Sequence, residues 1–201
     1  MRTLKIHLIR HGATDANKLG LYIGCKTDMP LSPEGLNELM EMRRDIDYPE
    51  IQRLYSSPML RARQSASVLY PNMPIYPVEN LKEYDFGDFE GKTAQELELH
   101  PDFIPWASGK LSATPNGEDN KEFVKRLCVG LQQIVLDMLE DNLETSAVIM
   151  HGGAIMMLLA ACGVPQAKPV EWNADCGQGY SILVTPSLYH KTGVVEVVGI
   201  I

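Results

Sequence analysis

The run Ala147-Val148-Ile149-Met150-His151-Gly152-Gly153-Ala154 decides how this chain folds. Four consecutive apolar residues suit a strand buried on both faces, as in a parallel sheet. The apolar stretch from Ala154 to Cys162 reads as a buried helix. His151 stands at the junction between the two. The glycines after it allow a ligand to approach the backbone closely, and the helix N-terminus offers unpaired N–H groups to an anion.

The same kind of junction occurs twice more. The strand Leu4 to Ile9 runs into Arg10-His11-Gly12-Ala13-Thr14-Asp15-Ala16-Asn17, and the strand near Leu54 ends in Ser56-Ser57-Pro58-Met59-Leu60-Arg61-Ala62-Arg63. Ser57 before Pro58, like Ser32 before Pro33, is expected to cap a helix whose first turn holds the proline. Arg61 then falls in the first helical turn, where the backbone already favours an anion. Further β-type runs lie at Ile75 to Val78, Ser181 to Val184 and Val194 to Val198. Phe123, Leu127, Leu131, Ile134, Val135 and Met138 recur at three- and four-residue steps and make one face of a long helix. Strands alternating with helices predict an α/β fold, a three-layer α/β/α sandwich with a mostly parallel central sheet. In such sheets ligands bind beyond the carboxyl ends of the strands. All three junctions would meet there and form one anion pocket. Two arginines would grip phosphate oxygens with forked hydrogen bonds, and two histidines would supply a nucleophile and a further donor.

Composition narrows the partners. The 201 residues are 45% hydrophobic, enough for one core. The net charge is −8 with no long basic run, so no nucleic-acid partner is expected. The most apolar window, Ala147 to Val164, is broken by His151, Gly152, Gly153 and Gly163, which argues against a membrane span. Met1 to Arg10 reads as a first strand and not as a signal peptide. Cys25, Cys128, Cys162 and Cys176 have no C-x-x-C spacing, as expected of reduced thiols in a cytoplasmic protein.

The motifs in order carry a resemblance. Leu8-Ile9-Arg10-His11-Gly12-Ala13-Thr14 with Asn17, Ser56-Ser57-Pro58 with Leu60-Arg61-Ala62, Leu81-Lys82-Glu83 with Phe86-Gly87 and Glu90-Gly91, and His151-Gly152-Gly153 resemble the ordered signatures of the histidine phosphatase superfamily. The phosphoglycerate mutases belong to the same superfamily. The resemblance implies a phosphoglycerate mutase-like fold in a single domain over residues 1–201, with a cap or insertion at about 84–118. It implies that His11 takes the phosphoryl group as nucleophile. Glu83 would act as general acid and base, and His151, Arg10, Arg61, Asn17 and Gly152 would hold the phosphoryl oxygens. No metal and no cofactor are implied. The substrate would be a small phosphate ester, and a homodimer is left open.

Glu83 must be protonated for the first step. Like-charge repulsion from Asp85 and Asp88 would raise its pKa if they face it, and a bell-shaped pH profile is expected. Between Tyr84 and Glu118 stand two basic and seven acidic residues, Asp85, Asp88, Glu90, Glu96, Glu98, Asp102 and Glu118. A mutase must retain a second anionic group of its substrate, and the family's mutases do so with a basic stretch in this region. Ile23 also stands where the mutases carry a hydroxyl residue. Hydrolysis is therefore expected, and a cofactor-dependent phosphoglycerate mutase or a catalytically inactive phospho-ligand-binding relative are the alternatives. The spacing from Leu81 to Gly91, with Pro115-Asn116-Gly117-Glu118, resembles the small bacterial branch that contains α-ribazole phosphatases and broad-specificity phosphatases. Asn116 departs from the Pro-Gly-Gly-Glu common there.

Overall fold

Strand β1 (Leu4–Arg10) forms the centre of the sheet because its neighbours satisfy it on both edges. The computed structural model describes residues 3–201; Met1 and Arg2, where the amino-terminal reading begins, lie outside the described residues. Along the chain follow α1 (Asp15–Leu19), α2 (Pro33–Asp45), β2 (Arg53–Ser56), α3 (Leu60–Leu69), β3 (Ile75–Pro77), α4 (Ala94–Leu97) and α5 (Phe103–Ala107). Then come α6 (Asn120–Glu140), β4 (Thr145–Met150), α7 (Gly152–Cys162), β5 (Gly163–Val164), β6 (Gly179–Val184), α8 (Pro186–Thr192) and β7 (Val195–Ile200). The sheet order is β3-β2-β4-β1-β6-β7-β5. β3, β2, β4 and β1 run parallel, β6 is antiparallel to both β1 and β7, and β5 is parallel to β7.

Strand periodicity divides the core into two layers. Leu4, Ile6, Leu8, Val148 and Met150 pack toward α6 and α7, and Ile9, Leu54, Ala147 and Ile149 pack with residues of α2 and α3. The six apolar residues that predicted the long helix are all buried on α6. Each large one contributes about 1.5–3 kcal/mol by leaving water. The expected sandwich is what forms.

The helix starts correct one expectation. Ser32 caps α2 through Gly35 N–H, with Pro33 in its first turn. Ser57 does not cap α3: that helix starts at Leu60 after Met59, with no side-chain cap. The Ser57 hydroxyl is instead 2.8 Å from His151 Nε2, so the local cap loses to a long-range partner. β5, only two residues long, was not foreseen. Its identity depends on pairing with β7, which local sequence does not carry.

Candidate active site

β2, β4 and β1 lie side by side and parallel, so their carboxyl ends share one edge. The ladder runs one step past each strand. His11 N–H donates to Met150 C=O at 3.0 Å, and Ser57 N–H donates to Ile149 C=O at 2.8 Å. These bonds bring His11 beside His151, with ring centroids 5.2 Å apart and the rings edge-on.

His11 is buried, and its Nδ1 lies 2.7 Å from the Gly12 carbonyl oxygen. A carbonyl only accepts, so Nδ1 carries the proton and Nε2 keeps its lone pair. Burial, reinforced by the Arg61 and Arg10 charges, pushes the His11 pKa down to about 3 against the smaller opposing effect of the Gly12 carbonyl. His11 is thus a neutral imidazole with an unprotonated Nε2 at neutral pH. His151 is likewise held well below its ordinary value by burial and by the Arg61 charge. Ser57 Oγ receives Met59 N–H at 3.4 Å and lies 2.8 Å from His151 Nε2, to which it donates when the ring's proton is on Nδ1. His151 Nδ1 is a buried atom with no protein partner.

The arginines are anchored by carbonyls. Arg61 is almost fully buried and donates to the Gly24 and Thr27 carbonyls, each at 3.2 Å. Arg10 donates from Nη1 to Ala174 C=O at 2.7 Å, and its buried Nε has no protein partner. Gly152 lies close beside it: a Cβ there would stand 3.2 Å from the guanidinium carbon and displace Arg10 by a few tenths of an ångström. The unused N–H groups face an anion's requirements without further cost of ordering.

Glu83 completes the cluster. Its Oε1 accepts Tyr84 N–H at 2.8 Å and its Oε2 accepts Gly153 N–H at 3.0 Å. A Cβ on Gly153 would approach Oε1 to 2.7 Å, so only glycine admits the carboxyl at this distance. Burial raises the Glu83 pKa, against lowering by these two N–H groups and by Arg61 and Arg10. The expected cause, repulsion from Asp85 and Asp88, is overturned. Asp85 pairs with Lys26 at 3.2 Å and Asp88 accepts from Asn116 at 3.0 Å.

Arg10, His11, Arg61, Glu83, His151 and Gly152 therefore come together. Asn17 does a different job: its Oδ1 accepts from the N–H and hydroxyl of Thr14, closing the capping box of α1. Sequence reading missed the roles of Ser57, the Ala174 carbonyl and Arg126. None carries a local signal: Arg126 follows Lys125, a second cation just before Leu127 on α6. Among the described residues no three His, Cys, Asp or Glu side chains cluster so as to hold a metal ion.

Residues 6–187 match the histidine phosphatase superfamily (branch 1). The chain belongs to the histidine phosphatase superfamily. Phosphatase PhoE of Bacillus subtilis is 32% identical over 155 residues, spanning 76% of this chain and 74% of that one. The adenosylcobalamin/α-ribazole phosphatase of Salmonella typhimurium is 28% identical over 182 residues, spanning 88% and 87%. The crystal structure of a phosphoglycerate mutase from Bacillus anthracis superposes with a TM-score of 0.74 at 19% identity, over 98% of this chain and 92% of that one. This histidine phosphatase is an enzyme with the phosphoglycerate mutase-like fold. No helix among its described residues is long and apolar enough to cross a membrane.

Proposed function

We propose that this histidine phosphatase hydrolyses small phosphomonoesters in two steps through a phosphohistidine on His11, without a metal. In the first step His11 Nε2 attacks phosphorus and the bond to the ester oxygen breaks. The protonated Glu83 gives its proton to that oxygen, and the alcohol leaves. In the second, the Glu83 carboxylate takes a proton from water as the water oxygen attacks phosphorus and the N–P bond breaks, releasing inorganic phosphate. Arg10, Arg61 and His151 Nδ1–H hold the equatorial oxygens, where charge stabilisation matters most. Gly152 lets Arg10 lie close, and the Nδ2–H of Asn17, whose Oδ1 serves the α1 cap, assists.

The observation that carries this reading is the His11 Nδ1 bond to the Gly12 carbonyl, which leaves Nε2 as a free lone pair. The opposite shifts of His11, downward, and Glu83, upward, supply a base-form nucleophile and an acid-form donor in one site. The acidic segment between Tyr84 and Glu118 favours hydrolysis over transfer to a second anionic group. It also favours a leaving group without charge. α-Ribazole 5'-phosphate heads the substrates to try, on the strength of the Salmonella relative. Asn116 in place of glycine does not count against this: its φ is 55°, a left-handed turn that asparagine tolerates.

The test is phosphate release from 4-nitrophenyl phosphate in a strong chelator, for the native enzyme and His11→Ala. Native activity that survives chelation, with loss of at least about 10³-fold in the variant, is expected for removal of the nucleophile. Activity that persists in His11→Ala, or that chelation abolishes, would overturn the proposal.

A further inference from the structure

A proton donor works only if its carboxyl is held still, and Glu83 sits in a segment with no sheet neighbour to hold it. The 3-10 turn Glu79–Leu81 leads into it, and the chain from Lys82 to Phe86 has no regular structure. What orders this segment is one side chain from α6. The Arg126 guanidinium has five N–H donors, and every one of them is matched. Nε donates to Glu118 Oε1 at 2.6 Å and Nη2 to Glu118 Oε2 at 2.9 Å. Nη1 donates to the carbonyls of Asn80, at 2.9 Å, and Lys82, at 2.7 Å, and Nη2 also donates to the Glu83 carbonyl at 2.9 Å. The guanidinium lies 4.7 Å from the centroid of the Phe123 ring, which keeps its plane fixed.

Glu118 closes the arrangement from the other side. Its N–H donates to Asp85 C=O at 3.0 Å, and its carbonyl accepts the Tyr84 hydroxyl. The peptide between Glu83 and Tyr84 is thereby pinned at both ends. Its C=O points at Arg126 and its N–H at Glu83 Oε1. Turning that peptide would withdraw one of the two N–H groups that hold the carboxyl. The cations that act electrostatically on the carboxyl are Arg61 and Arg10. Arg126 reaches it through the backbone.

We infer that Arg126, oriented by Glu118, is the positioning residue for Glu83: it fixes the Glu83–Tyr84 peptide so that the carboxyl stands where a leaving oxygen can take its proton. The inference rests on the proposed role of Glu83 as general acid. It separates Arg126 from an ordinary structural ion pair, because a misplaced acid harms only substrates that need a proton on departure.

The experiment compares kcat/KM for 4-nitrophenyl phosphate, whose leaving group departs readily as the anion, with that for glycerol 2-phosphate, whose alkoxide does not. This constant covers only steps up to departure of the leaving group, so slow hydrolysis of the phosphohistidine does not mask the effect. Arg126→Gln is expected to lose about 100-fold on the alkyl ester, the scale of a misplaced catalytic group, and less than about tenfold on the aryl ester. Arg126→Lys keeps the charge and the stem over Phe123 but not the planar fork, so the same selectivity is expected at smaller size. Equal losses on both esters in the folded variants, or none on either, would overturn the inference. If Arg126→Gln fails to fold, Arg126→Lys decides on the same criterion. Glu83→Gln is measured in parallel. A selective loss there with an equal loss at Arg126 sinks the positioning role alone, whereas an equal loss at Glu83 itself sinks the general-acid reading on which it stands.

Discussion

The edge of the sheet and the segment from Tyr84 to Glu118 are held together by different forces. At the edge, His11, Ser57 and His151 each follow a strand by one residue, and main-chain hydrogen bonds from the parallel ladder set their positions. The other segment has no strand in the sheet. It consists of α4, α5 and a 3-10 turn at Gly87–Phe89, closed over a small cluster of Phe89, Leu97 and Phe103. Half-buried Tyr22, Phe86 and Trp106 pack on that cluster, with Trp106 5.7 Å from the Phe89 ring and 5.8 Å from Tyr22. The difference separates two tasks. Side chains proposed to meet a phosphoryl group are fixed by backbone, which tolerates little displacement. Rings packed without a ladder can adjust at lower cost.

Acid should break the edge first, and this is the largest effect we expect. His7, held down to about 4 by burial and by Lys5, lies on β1, while His11, held down to about 3, and His151 follow β1 and β4. Each is neutral when folded and takes a proton near pH 6.5 when unfolded. A depressed folded pKa gives stability that is present above the unfolded value and lost as pH falls toward the folded one. Each histidine therefore removes about 1.4 kcal/mol per pH unit below about pH 6. Glu83, raised by burial, acts in the opposite sense, since the protonated form it prefers returns on acidification. The histidines outnumber it. Urea melts between pH 7 and pH 4.5 should show stability falling, with a shallower slope for His11→Ala; parallel slopes would mean that His11 is not buried neutral.

Arg61→Lys tests whether the edge works by charge or by shape. Lysine keeps the charge but cannot reach the Gly24 and Thr27 carbonyls and two phosphoryl oxygens at once. A loss of about 10²–10³ in kcat/KM is expected, alike for aryl and alkyl esters, the range seen when one transition-state donor is removed. Recovery to within a few-fold of native activity would show that a point charge suffices. Trp106→Ala applies the matching test to the ring-packed segment. It removes ring contacts with Tyr22, Phe86, Phe89 and Phe103 and should cost about 3 kcal/mol, at the low end for a large aromatic because Trp106 is only half-buried. Activity on 4-nitrophenyl phosphate should change less than about tenfold, since no phosphoryl contact is lost. A collapse of activity in a folded Trp106→Ala would erase the distinction between the two regions.

The same contrast explains what could be read from sequence. The three junctions were legible because an apolar run, a charged or imidazole side chain and a glycine or proline stand consecutively in the chain, and the sheet then brings their ends together. Arg10, His11, Arg61 and His151 stand out that way; Glu83, at no strand end, comes only from the family's ordered motifs. What escaped depends on partners far away in sequence. Ser57 looked like a helix cap because local preference favours one, yet His151, 94 positions on, takes its hydroxyl. Arg126 draws no notice in sequence, because its three carbonyl partners lie more than 40 positions earlier. Sequence proximity points to the neighbouring aspartates as the cause of the rise in the Glu83 pKa, when burial by the fold is responsible.

Ser57→Ala gives the smallest effect and the finest test. A Ser57 hydroxyl that donates to His151 Nε2, 2.8 Å away, keeps the ring's proton on Nδ1, the buried, unpartnered atom proposed to meet a phosphoryl oxygen. Without the hydroxyl the neutral ring can carry its proton on either nitrogen, and the form with a bare Nδ1 would set a lone pair against an oxyanion. The loss is then bounded by one hydrogen bond, about 1–1.5 kcal/mol or roughly tenfold in kcat/KM. It should fall equally on aryl and alkyl esters, because His151 serves the phosphoryl group and not the leaving group. Nitrogen NMR of the His151 ring should report a shift from one tautomer to a mixture. A tenfold loss with the tautomer unchanged would assign the effect to packing, and a loss confined to the alkyl ester would place Ser57 with Glu83 and Arg126 on the leaving-group side. Either result would redraw the line between the ladder that fixes the phosphoryl group and the clamp that fixes the proton.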